Sequence, residues 1–188
     1  MRRPLRMPSR LDLLIAAAVV AIGLYEVWLT SAVRPRAVAA PAELVIGLAL
    51  AWRRSFPLAT VVVVAIVSTS ETLGGVPMRS SAVPLIATVI AVYTLVVQAP
   101  LRRALLGLAI SLGGFALGIL GQHNGPGNFV FGAIFVVGVW IVGRTVRVRT
   151  AAAGKLEERT VALEREREEH ARRAGEQERA RIARELHD

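Results

Sequence analysis

No cysteine occurs among the 188 residues, which excludes disulfides, thiolate metal ligands and a cysteine nucleophile and carries no information about compartment. Charge is scarce as well: Asp, Glu, Lys and Arg make up 20% of the chain against 54% apolar residues. As far as Val142 only four acids occur, Asp12, Glu26, Glu43 and Glu71. Nowhere in the chain is there a glycine-rich phosphate loop or an Asp/Asn cluster of the kind that holds a nucleotide with Mg²⁺. The apolar part lacks the repeated charges and broken helices of a transporter, and its connections are too short to form a folded ligand-binding domain.

What is present is a series of long apolar runs, which points to a bilayer as solvent in place of a globular core. Runs bounded by Arg, Pro or Gly cover residues 13–29, 37–52, 57–73, 83–97, 104–120 and 129–142. Several are shorter than the roughly 17 to 25 residues a span needs, so flanking small residues are expected to complete them. With six spans and the N-terminus inside, 11 arginines fall on the cytoplasmic side: Arg2, Arg3, Arg6, Arg10, Arg53, Arg54, Arg102, Arg103, Arg144, Arg147 and Arg149. Only Arg34, Arg36 and Arg79 fall outside, which is the bias that orients membrane proteins. Trp52 and Trp140 then sit near the inner boundary and Tyr25 and Trp28 near the outer one, as headgroup-level rings do. A basic leader with an Ala-x-Ala site at 37–40 raises the question of a cleaved signal peptide, but the apolar stretch is too long and Arg34 and Arg36 stand just before the site.

The formal charge of +9 is unevenly divided. Residues 1–143 hold 11 Arg against four acids, and residues 144–188 hold 12 Lys plus Arg against 10 acids. The surplus therefore belongs to the membrane part, and no nucleic-acid partner is implied. In the fifth run Gly107, Ser111, Gly114 and Gly118 place small residues on one helical face, which lets another helix of this chain or of a second subunit approach closely. Glu26, Glu43 and Glu71 all fall toward the outer side, where the loop at 121–128 also places His123. Ionisable groups at such depth raise a functional question: carboxylates that simply reach water are the simpler reading, and a cation- or proton-sensing cluster is the sharper one.

After Val142 the composition turns to Ala, Glu and Arg without proline, which suits a long helix. Opposite charges recur four apart in Glu168 with Arg172, Glu169 with Arg173 and Arg181 with Glu185. Leu156, Leu163 and His170 keep a seven-residue interval, and Ala153, Thr160 and Arg167 complete a poor heptad; Ile182 and Leu186 form a second stripe out of register with it. A dimeric coiled coil that changes phase and a charged single helix both fit this pattern. The 43 helical steps from Arg144 to His187 would extend about 65 Å, enough to carry a shift or twist from the membrane to its tip.

The tip itself reads ERARIARELHD, Glu178 to Asp188. It closely resembles the histidine box that opens the dimerisation and phosphotransfer helix of sensor histidine kinases of the NarL/DesK type, Glu-Arg-x-Arg-Ile-Ala-Arg-Glu/Asp-Leu-His-Asp. Here the pattern is filled by Glu178, Arg179, Arg181, Ile182, Ala183, Arg184, Glu185, Leu186, His187 and Asp188. The resemblance implies a homodimer in which His187 is the phosphoacceptor, taking the γ-phosphate of ATP and passing it to an aspartate of a response regulator. Asp188 would orient the ring or accept its proton. An imidazole is mostly neutral and nucleophilic at cytoplasmic pH, which suits that role. ATP and Mg²⁺ are implied for the full-length kinase, in an ATP-binding domain expected beyond Asp188, so this fragment alone should be inactive.

The expected architecture is thus all-α: a polytopic membrane bundle of about six transmembrane helices followed by a long cytoplasmic helix, expected to form a dimeric coiled coil. Residues 1–143 would form the sensor domain, 144–177 the connecting helix and 178–188 the start of the phosphotransfer domain. The location implied is the plasma membrane, multi-pass and in contact with lipid, with both termini cytoplasmic. The competing reading is a noncatalytic membrane scaffold whose charged helix docks a soluble partner.

Overall fold

Each apolar run forms a helix. A computed structural model describes residues 7–29, 33–77, 80–122 and 126–185, with side chains throughout except 126–128, 171 and 174–185. The order is α1 (Arg10–Leu29), α2 (Arg36–Ala51), α3 (Pro57–Leu73), α4 (Val83–Gln98), α5 (Leu101–Gly121) and α6 (Pro126–Glu185). No strand occurs among the described residues.

Local chemistry sets the boundaries. Ser9 opens α1 by accepting a hydrogen bond from the Asp12 amide at 3.2 Å, while its own hydroxyl donates to Asp12 Oδ2 at 2.6 Å; a serine followed three residues later by an acid satisfies amides that a helix start leaves bare. Pro57 and Pro84 stand in the first turns of α3 and α4, and Pro100 immediately precedes α5, where a missing N–H costs nothing and φ is already helical. After α3 the chain turns at Gly74 and Gly75, the latter at φ 91°, a conformation that glycine adopts freely.

The chain divides into two compact units, Met1–Arg147 and Val148–Asp188. In the first, α1 packs along α2 and α3 along α5, while α4 touches α1, α2, α3 and α5. That central place fits its sequence, since a helix that is apolar on every side has no solvent face. Ala87 and Ala91, one turn apart, let its neighbours come close, and with Val92 and Leu95 they join Val19, Ile46, Leu50, Val61, Val64, Ala104 and Val136 in one core. Within this unit the first part of α6 is held by Trp140, whose indole N–H donates to the Ala104 carbonyl at 3.1 Å, and by Arg147, which donates to the Val97 carbonyl at 3.1 Å.

The small-residue face of α5 is occupied within the chain. A Cβ at Gly107 would collide with the Leu95 side chain of α4, and one at Gly114 would lie 3.0 Å from Thr69 Oγ1 of α3. Thr69 also donates to the Gly114 carbonyl at 3.1 Å, so two neighbours use the face that glycine opens. Gly107→Leu is expected to lower stability by about 1–3 kcal/mol through overpacking, read from SDS-induced unfolding of the reconstituted chain; an unchanged midpoint would mean that α4 does not lie where it is described.

Three helices are long and apolar enough to cross a membrane: Arg10–Leu29, Leu101–Gly121 and the part of α6 from Phe129. The expectation that flanking residues lengthen the short runs holds for the fifth and sixth, which lie in helices of 21 and 60 residues, and fails for the second, third and fourth. Helices α2 and α4 have 16 residues and α3 has 17, because the turn at 52–56 and the prolines at 57, 84 and 100 stop them. Sixteen residues rise about 24 Å, short of the roughly 30 Å of a hydrocarbon core.

In the second unit the side chains described are exposed, Leu156, Val161 and Leu163 among them. Arg173 pairs with Glu169 at 3.1 Å one turn away, one of the expected pairs and a weak one at such exposure.

Candidate functional site

Three of the four acids in the apolar part meet at one end of the helices. Glu26 comes from α1, Glu43 from α2 and Glu71 from α3, and the connection to α4 brings Ser81 between them. The Ser81 hydroxyl lies 2.6 Å from Glu26 Oε2 and 3.3 Å from Glu43 Oε1, so the shorter contact takes its single proton. Glu26 also accepts from the Ala82 amide at 3.1 and 3.3 Å. It thereby places an anion at the positive start of α4, where helix amides lack partners. Glu43 has room only because α1 carries Gly23 opposite it: a Cβ there would lie 2.6 Å from Glu43 Oε2.

Glu43 is fully buried and Glu71 is 3% exposed, yet Oε2 of each has no hydrogen-bond partner. Ser68 Oγ, one turn before Glu71, is unpartnered too. Buried polar atoms are nearly always satisfied, so each such atom asks what it binds. Beside them lies a cavity of about 90 Å³ lined by Ser68, Glu71, Thr72 and Ser81 on its polar side and by Leu85 and Phe115 on its apolar side. Gln122 closes this end by donating to the Thr72 carbonyl at 3.1 Å and the Val76 carbonyl at 2.5 Å. Chemically the arrangement can accept hydrogen bonds from a cationic group. Among the described residues no three His, Asp or Glu side chains converge as a metal site would require.

The fourth acid lies at the opposite end. Asp12 Oδ1 pairs with Arg53 at 2.5 Å and with Arg54 at 3.0 Å, tying the start of α1 to the turn after α2. Arg53, 4% exposed, also donates to the Leu50 carbonyl at 3.3 Å. Burial pulls the Arg53 guanidinium below its ordinary value, and the Asp12 carboxylate opposes that shift.

The sequence reading named Glu26, Glu43 and Glu71 as one group, and the structure brings them together. It did not single out Ser81, Ser68 or Gly23. A serine in a loop carries no periodic signal, and the Gly23 contact joins positions 20 apart. His123, His187 and Asp188 lie outside the described residues.

Against known families, residues 2–150 match DUF7134, a domain of unknown function. The chain belongs to that family. No curated protein and no solved structure matches it.

Proposed function

We propose that the chain is the membrane-embedded sensing and transmitting part of a two-component histidine kinase, with His187 as phosphoacceptor and Asp188 as the group that orients its ring or takes its proton. The observation that carries this reading is the sequence ERARIARELHD, Glu178 to Asp188. A helix that runs from the apolar Phe129 region to Glu185 without interruption supports it, because a continuous helix is a means of passing motion along its length. The partners that follow are a second copy of the chain, a response regulator and the lipid bilayer; ATP and Mg²⁺ would be held in a catalytic domain outside these residues.

All six helices are read as spans, with both termini cytoplasmic in the plasma membrane. Support for the short ones comes from large apolar side chains that α2 and α3 turn outward, Leu44, Leu48 and Ile66, which lipid would cover. Helix α4 packs against α1, α2, α3 and α5 and leaves Tyr93 40% exposed, so most of its length needs no lipid contact. The domain limits stay at 1–143, 144–177 and 178–188. Exposed Leu156 and Leu163 one heptad apart would form the seam of a coiled-coil dimer.

The test supplies the reconstituted chain with a histidine-kinase ATP-binding domain in trans and labelled ATP. Acid-labile, base-stable label is expected on the wild type and absent from His187→Ala, with His123 and His170 left in place. Label that survives in the alanine variant, or no label on either, would remove His187 from the role and leave a scaffold that docks a partner through its charged helix.

A further inference from the structure

We propose that the cavity beside Glu71 is a binding site for a small protonated amine. Glu71 is buried to 3% exposure, lines the cavity, and carries an oxygen, Oε2, that no donor reaches. Glu43, which does not line the cavity, has an Oε2 that is likewise buried without a donor, and the two carboxyl groups are electrostatic neighbours. Ionising two buried carboxyl groups side by side is costly unless something positive sits with them.

Three kinds of occupant answer that need, and the walls discriminate between them. A proton neutralises a carboxylate but needs no void, and it leaves Ser68 Oγ without a partner. A transition-metal ion needs several converging His, Cys or carboxylate ligands, and among the described residues no three provide them; a hard cation held by oxygens alone would leave the apolar half of the cavity without an occupant. An alkylammonium satisfies both halves of the cavity. Its N–H groups donate to Glu71 Oε2 and Ser68 Oγ, and its hydrocarbon body lies against Leu85, Phe115 and Val136. A cavity of roughly 150 Å³ accommodates benzene, so one of about 90 Å³ takes about four non-hydrogen atoms. Propylammonium has that size.

The site would give the proposed sensor its stimulus, but the inference stands without phosphotransfer because it is read from binding alone. The 188-residue chain in lipid nanodiscs is titrated with propylammonium chloride by calorimetry, against sodium chloride at equal ionic strength, neutral propanol and empty nanodiscs. Saturable binding is expected for propylammonium only. Glu71→Gln is expected to raise Kd about tenfold or more, the loss of one charge-assisted hydrogen bond. Leu85→Trp keeps every carboxylate but fills the void and should abolish binding, so the volume is tested even if the Glu71 variant fails to fold. No saturation with the wild type, an equal response to sodium chloride, or an unchanged Kd in Leu85→Trp would each overturn the proposal.

Discussion

Asp12→Ala is expected to lower the unfolding free energy of the unit Met1–Arg147 by about 3 kcal/mol, the loss typical of breaking a buried ion pair from one side. The partners are unequal. Arg53 is 4% exposed and 2.5 Å from Asp12 Oδ1, whereas Arg54, 3.0 Å away, is 54% exposed. Water already screens Arg54, so its share is small. Without Asp12, Arg53 keeps, among the described residues, the Leu50 carbonyl at 3.3 Å, and a buried guanidinium with most of its donors unused is what destabilises. The Ser9 hydroxyl also loses its 2.6 Å partner, which adds a weakened start to α1. If stranded charge is the cause, replacing both partners by leucine should restore most of the stability, since an apolar pair of similar size is often neutral or better. Midpoints of SDS-induced unfolding followed by tryptophan fluorescence decide it. A single variant within about 0.5 kcal/mol of wild type, or a double variant as weak as the single one, would mean that the pair is not buried as described.

The Asp12 pair also shows where sequence reasoning stops. Helix positions were legible because apolar runs between Arg, Pro and Gly leave the backbone few alternatives in an apolar setting. The Ser9-x-x-Asp12 pattern before an apolar run was available as a helix-start signal but does not announce that the acid will also bind Arg53, since that contact depends on how the α2–α3 turn folds back. The Gly107, Ser111, Gly114 and Gly118 face was legible as a packing surface. Which helix fills it was not, because small residues attract any neighbour by van der Waals fit, and only the chain path delivers α3 and α4 to it. Helix α4 is the converse case: a sequence apolar all round specifies burial without specifying a face, so its central place among four helices could not be read from its own residues. The grouping of Glu26, Glu43 and Glu71 followed from counting spans, whereas the serine that links two of them came from a connection with no pattern of its own. The chemistry proposed for His187 rests on sequence alone, and the cavity on structure alone.

Gly23→Leu sets two rules against each other and should destabilise by about 3 kcal/mol, the upper end of the range for overpacking a filled site. Helix propensity alone predicts the opposite sign, since leucine gains nearly 1 kcal/mol over glycine inside a helix. Packing wins because of what faces Gly23. A Cβ there would lie 2.6 Å from Glu43 Oε2, 2.7 Å from its Cδ and 2.9 Å from its Cγ, so the obstacle is most of a side chain and not only its mobile tip. Glu43 is fully buried and touches Ser81 at 3.3 Å; any rotation that makes room for leucine loses that contact and carries a polar carboxyl group into apolar surroundings. Shortening the obstacle should therefore rescue the variant. In Gly23→Leu with Glu43→Ala the added side chain fills the space the carboxylate leaves, and the two changes should couple favourably by about 1–2 kcal/mol in a double-mutant cycle. Additive losses in that cycle would show that Gly23 and Glu43 do not share one space, and the acid cluster would then have to be assembled in some other way.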